Sequence, residues 1–215
     1  MQPNLSTPSA AGRDPRWNVR LISALVLLCL TTACSPRDFL TRRLATDLIA
    51  GSDSFKATQK FWLRTGTTSN QDYYSPESMV LQHRGWITAD KVACPPAVAP
   101  PPCWDVALSP LGVGIFRDLI PANTLQSQYF GVPVAHRELV RVTGISKNGA
   151  VADVDFVWKW LPLNEVGQAL YAGGVLYKST VAFRLYDDGW RVVEGTTPKS
   201  NQSLDEALKN AQPAQ

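Results

Sequence analysis

The sequence predicts an α+β fold in which N-terminal helices pack on a curved antiparallel sheet of about four to six strands. Three observations carry this expectation. Leucines recur every four residues from Leu40 to Leu48, period-two alternation fills 137–146, 150–161 and 175–186, and tight-turn sequences at 147–149 and 187–189 separate the alternating runs. With 215 residues, 45% hydrophobic and 18% charged, the chain can bury one ordinary core.

The first element in chain order is an address. LISALVLLCL, residues 21–30, follows Arg13, Arg16 and Arg20 and precedes Thr31, Thr32 and Ala33. A positive n-region, a short apolar run and small residues before a cut site are the parts of a secretory signal peptide. A permanent span needs about 20 apolar residues, so the segment is expected to be removed. The expected organisation is a signal peptide at 1–33, a single α+β domain at 34–197 and a flexible tail at 198–215. The stretch ahead of Leu21 is long for an n-region, which leaves a later start as a second reading. Without residues 1–33, 182 residues remain with 18 basic and 17 acidic side chains. That balance gives no field for a polyanion, and no nucleic-acid partner is expected.

The small residues Thr32 and Ala33 directly before Cys34 make the junction resemble the lipobox of bacterial lipoproteins, with Thr31 standing where leucine is usual. The resemblance implies a lipid on Cys34, acyl chains such as palmitate, and a membrane partner reached through that lipid. The competing reading is ordinary signal-peptidase cleavage, which leaves Cys34 a free thiol. Cys29 is lost with the leader, and Cys94 and Cys103 are close enough to pair as a disulfide, so Cys34 is the odd cysteine of an oxidising compartment. Each buried methylene adds about 0.8 kcal/mol, so two or three acyl chains hold far more durably than one. Ser35 stands where aspartate would, by resemblance, favour inner-membrane retention. The expected location is therefore the outer membrane, facing the periplasm.

After the anchor, Ser35, Pro36 and Asp38 read as a helix start, Leu40, Leu44 and Leu48 as its packing stripe and Gly51 as its stop. In SFKATQKFWLRTG, Phe55, Ala57, Phe61 and Leu63 alternate with Lys56, Thr58, Lys60 and Arg64, predicting one long strand. Ser75, Pro76 and Glu77 open a short helix that Gly85 ends, and 85–88 returns to a strand. CPPAVAPPPC, residues 94–103, has five prolines in ten residues, excluding helix and inner strand, and reads as a surface loop stapled by its two cysteines.

The C-terminal half predicts four antiparallel strands. RELVRVTGIS and AVADVDFVWKWL flank the Asn148-Gly149 turn, and VLYKSTVAFRLY and WRVVE flank the Asp187–Gly189 turn. Ala152, Val154, Phe156, Trp158 and Trp160 share one face of the second strand, and a tryptophan face of that size must be covered. LNEVGQALYA supplies a helix or turn between the hairpins. The tail has a capping box at Ser203 and Glu206 but little to bury. Helices followed by a meander that closes on D-G-W-R-V resemble the cystatin-like and nuclear-transport-factor-like folds. A second resemblance, of VLQHRGWIT and DVALSPLGVG to a winged helix, implies DNA binding, against which export and the neutral charge both argue.

The chemistry on offer is sparse. His83 and His136 have no acidic residue at ligand spacing, so no metal and no cofactor are expected. Ser75 and Ser109 precede prolines, and no G-x-S-x-G occurs. Asp153 and Asp155 share a strand face as an acid/base pair would, with Lys159 further along that face, and cross-strand ion pairing with Lys178 or Arg184 on a partner strand is the plainer account. Trp62, Trp86 and Trp104 form a candidate binding patch for a peptide, a glycan or another envelope protein; the alternative is that they cover the open end of the sheet. Two functions follow: a lipid-anchored binding or assembly module, preferred, and a small periplasmic hydrolase-like enzyme with its pocket in a cone-shaped sheet. A histidine beside a carboxylate at the base of a deep cavity would mark the enzyme, and a filled core with a flat aromatic surface the binding module.

Overall fold

The computed structural model describes residues 39–96, 101–120, 129–171, 174–195 and 202–214. The segment read as a signal peptide, Cys34 and the expected Ser35-Pro36-Asp38 helix start lie outside them. Helix α1 (Arg42–Gly51) begins later than its leucine stripe suggests, because Thr41 is the N-cap and its Oγ1 accepts the N–H of Leu44 at 3.1 Å. Ser52 then ends α1 and caps α2 (Asp53–Lys56) with a single hydroxyl, which donates to the Ile49 carbonyl and accepts from the Phe55 N–H. The long strand expected from residue 54 is therefore a helical turn followed by β1 (Gln59–Arg64). Phe55 is still buried, but from α2.

The main sheet is antiparallel, curled and six-stranded, and it bears out the α+β class. Its order is β1, β5 (Tyr129–Asn148), β6 (Val151–Pro162), β7 (Leu176–Tyr186) and β8 (Gly189–Val192), with the short β9 (Gln212–Pro213) also on β7. The β5–β6 loop is Gly149-Ala150, closed by Asn148 opposite Val151, and Gly149 takes the positive φ of 62° that the turn demands. Register shifts at Leu139/Arg141 and Val142/Gly144 interrupt the ladder, the kind of irregularity that bends a strand.

The inward face of β6 is the predicted one. Ala152, Val154, Phe156 and Trp158 are buried together with Val181 and Phe183 of β7 and Trp190 of β8. Ala45 and Ile49 of α1, Phe55 of α2, and Leu204, Ala207 and Leu208 of α7 (Leu204–Lys209) belong to the same cluster. For the described part of the expected tail, 202–214, this is a correction: it is not a loose segment. The capping box at Ser203 and Glu206 does form, and the helix it starts is held by apolar burial. Leu204 and Leu208 lie four residues apart, so one short helix turns both toward the sheet.

A second sheet was not foreseen. Its order is β2 (Gly66–Ser69), β4 (Cys103–Leu108), β3 (Ile87–Val92), with α3 (Asn70–Tyr73) and α4 (Pro76–His83) between β2 and β3. Cys94 and Cys103 are bonded across the base of the proline loop, Cα to Cα 5.2 Å. A second core forms where this sheet meets α5 (Pro110–Phe116), α6 (Glu165–Tyr171) and the inner side of β1 and β5: Leu63, Leu81, Trp86, Phe116, Val132 and Val166 are among its buried residues. Ser75 and Ser109, each before a proline, are the N-caps of α4 and α5, which accounts for both serines structurally.

Candidate functional site

A cleft of about 370 Å³ runs beside β1, between the two sheets' strands and helices α3 and α4. All six residues of β1 line it. Asp72, Tyr73, Ser75, Glu77 and Ser78 form the facing wall, and Tyr129 and Tyr171 also border it.

On the outer face of β1, Trp62 stands opposite Gly131 of β5. A Cβ at position 131 would lie 2.8 Å from Trp62 Cζ3, so only glycine leaves room for the indole where it is. The ring stacks on Tyr129 with centroids 4.9 Å apart and planes 8° apart. Trp62 and Tyr129 remain 52% and 55% exposed, so two large aromatics pack on each other and on solvent. Next to them Arg64 Nη1 donates to Asp72 Oδ2 at 3.0 Å, tying β1 to α3 at the cleft's rim.

Thr68 of β2 lies against the cleft. Its side chain is 2% exposed, and Oγ1 has no hydrogen-bond partner. A buried hydroxyl of that kind carries an uncompensated desolvation cost. Burial also pushes the Tyr171 phenol up from its ordinary range, with a Gln59 hydrogen bond acting in the opposite direction.

Of the three tryptophans predicted to form a patch, only Trp62 is exposed. Trp86 is 2% exposed and belongs to the second core, edge-on to Phe116 at 6.3 Å, so the joint patch with Trp62 and Trp104 is not formed. The reversal at Gly85, φ 67°, turns the chain into the core one residue before the tryptophan. Trp104 is half-buried, donates its indole N–H to Asn70 Oδ1 at 3.0 Å and stacks on Tyr73 at 4.4 Å. Through Tyr73 it buttresses the cleft wall instead of facing the cleft. Residues missed by sequence reasoning are Thr68, Asp72, Tyr73, Tyr129 and Tyr171. No local pattern marks them, since they come from β2, α3, β5 and α6 and meet only in the folded chain.

The enzyme-like constellations do not assemble among the described residues. His83 is exposed at the end of α4, and His136 is half-buried in a shallow groove shared with Lys56 and Glu138. Glu138 bonds Lys159 at 3.3 Å. Asp155 accepts the Thr180 hydroxyl at 2.6 Å on the outer face, in place of the cross-strand ion pair expected of it. Among the described residues no group of three or more His, Cys, Asp or Glu is placed to hold a metal ion, and no helix is long and apolar enough to cross a membrane.

Arg137 sits against aromatic rings of the main core. Its guanidinium lies 4.7 Å from the Trp160 ring and 5.6 Å from that of Trp158, and donates to the Ser54 carbonyl at 2.9 Å. Burial pulls its pKa down from the usual value, while Asp205 acts the other way. These contacts fasten α2 to the sheet, a structural use.

Comparison with protein-family models, with curated proteins and with solved structures finds no match.

Proposed function

We propose that this chain is an envelope lipoprotein, tethered to the outer membrane through lipid on Cys34 and facing the periplasm, whose folded part is a binding or assembly module. The observation that carries the binding reading is the half-exposed Trp62–Tyr129 pair, both members of which line the cleft beside β1. Exposed aromatics are costly to leave in water and are the side chains most often found as anchors in contact sites. The concave face of the main sheet is meanwhile filled by Phe156, Trp158 and Phe183, which favours binding at the cleft over chemistry inside a cone. The lipid reading is supported by the leader at 21–33 and by the pairing of Cys94 with Cys103, which leaves Cys34 as the cysteine available for modification.

Two measurements test this. Membrane sedimentation of the protein is expected to be lost in Cys34→Ser; an unchanged membrane fraction overturns the anchor. A photocrosslinking amino acid replacing Trp62 is expected to give a discrete adduct in cells, and the same group replacing the exposed Tyr186 is not. Equal labelling from both positions, or none from either, overturns the cleft as the contact site.

A further inference from the structure

We propose that the cleft receives an extended peptide segment, which adds to the free edge of β1 as one more strand; this rests on the binding-module reading and gives it a ligand class. Successive side chains of a strand point to opposite faces. A cleft lying on one face would touch Lys60, Trp62 and Arg64, or else Gln59, Phe61 and Leu63. This one touches all six without a gap. It is therefore not confined to one face of the strand.

The main chain of β1 has work left to do. β1 is the outermost strand of its sheet and pairs only with β5 among the described residues. A strand paired on one side leaves the N–H and C=O groups of its other side without a ladder partner. An extended peptide supplies the complementary row, which is how main-chain recognition at a sheet edge works. The wall formed by α3 and α4 makes the edge a slot. A slot admits one slim chain and keeps a whole second sheet out, which separates this edge from one that two copies of the chain would zip together.

The charges agree with that class. Lys60 and Arg64 share the cleft with Asp72 and Glu77, and the four formal charges cancel. No field is left to select an ionic polymer, so recognition rests on main-chain bonds with little salt dependence. Trp62 and Tyr129 stack on one face of the β1–β5 pair and border the cleft from that side.

The test offers the full protein, extracted from membranes in detergent, to immobilised short peptides of randomised sequence and in parallel to immobilised oligosaccharides. Capture of peptides is expected, nearly unchanged between low and physiological salt. A captured peptide is then remade in two versions, N-methylated at the odd or at the even backbone positions. In a strand, alternate N–H groups point the same way, so one version is expected to bind about tenfold or more weakly and the other to bind as before. Backbone amides of β1 are expected to gain hydrogen-exchange protection in the complex. Failure to capture any peptide, capture of saccharides alone, equal effects from the two methylation patterns, or protection that spares β1 would each overturn the proposal. Should Trp62 crosslink a partner in cells while the peptide arm fails, edge pairing falls and the binding module stands; failure of both removes both.

Discussion

Trp158 donates its indole N–H to the hydroxyl of Ser179 at 3.0 Å, and that hydroxyl in turn donates to the Ala207 carbonyl at 2.8 Å. A core tryptophan on β6, a serine on β7 and the main chain of α7 are thus satisfied by one side chain that is 8% exposed. Ser179→Ala leaves a buried donor and a buried acceptor without partners. A destabilisation of roughly 1–3 kcal/mol is expected in urea unfolding. A change inside experimental error would show that water replaces the hydroxyl and that α7 does not depend on it.

Two glycines give opposite expectations for the same substitution. A Cβ at Gly167 of α6 would sit 1.9 Å from the Val134 carbonyl oxygen, whereas a Cβ at Gly114 of α5 meets nothing within 4 Å. Gly167→Ala must push α6 off β5 and is expected to cost about 2 kcal/mol or more, as overpacking does. Gly114→Ala is expected to be neutral or to stabilise by up to about 1 kcal/mol through helix propensity. Thermal melts of the two single variants decide, and equal melting temperatures would refute the close approach of α6 to Val134.

Alkaline stability should carry the signature of Tyr171. Its folded-state pKa lies above the unfolded value, so the neutral phenol is the form the fold prefers. The corresponding stability is complete below about pH 10 and is lost as pH rises through the higher folded value. Tyr171→Phe cannot ionise, and its stability is expected to fall less steeply than wild type in that alkaline window. Denaturant midpoints collected across the window would show parallel curves if the phenol were as solvated as in the unfolded chain.

Reducing the Cys94–Cys103 bond should lower stability by less than about 3 kcal/mol, because the prolines already restrict the open loop. The second sheet is expected to survive, since Val106 of β4 and Ile87 of β3 belong to a core that does not involve the loop. Near-ultraviolet circular dichroism before and after reduction checks this; loss of the aromatic signal would make the staple a condition for folding.

Periodicity revealed what periodicity encodes. The alternation in β5 through β8 and the leucine stripe of α1 each come from one surface meeting one core, so the α+β class and the tryptophan face of β6 were readable. Phe55 misled because its alternation with Lys56 mimics a strand, while Ser52 caps a helical turn there. The tail misled because Leu204 and Leu208 look sparse until the sheet beneath them is known. The neighbours of Trp86 in sequence suggest a surface position, yet the chain reverses at Gly85 and the indole belongs to the second core. The cleft was legible only in Trp62. Its other members come from seven further elements and meet only through tertiary packing, which no local pattern records.

Positions 62 and 131 share one volume: the indole occupies the space that any side chain larger than hydrogen would claim across the β1–β5 pair. The atoms in the way belong to the far rim of a half-exposed ring, so a side chain at 131 would displace the indole outward and unstack it from Tyr129 while leaving the strand pair in place.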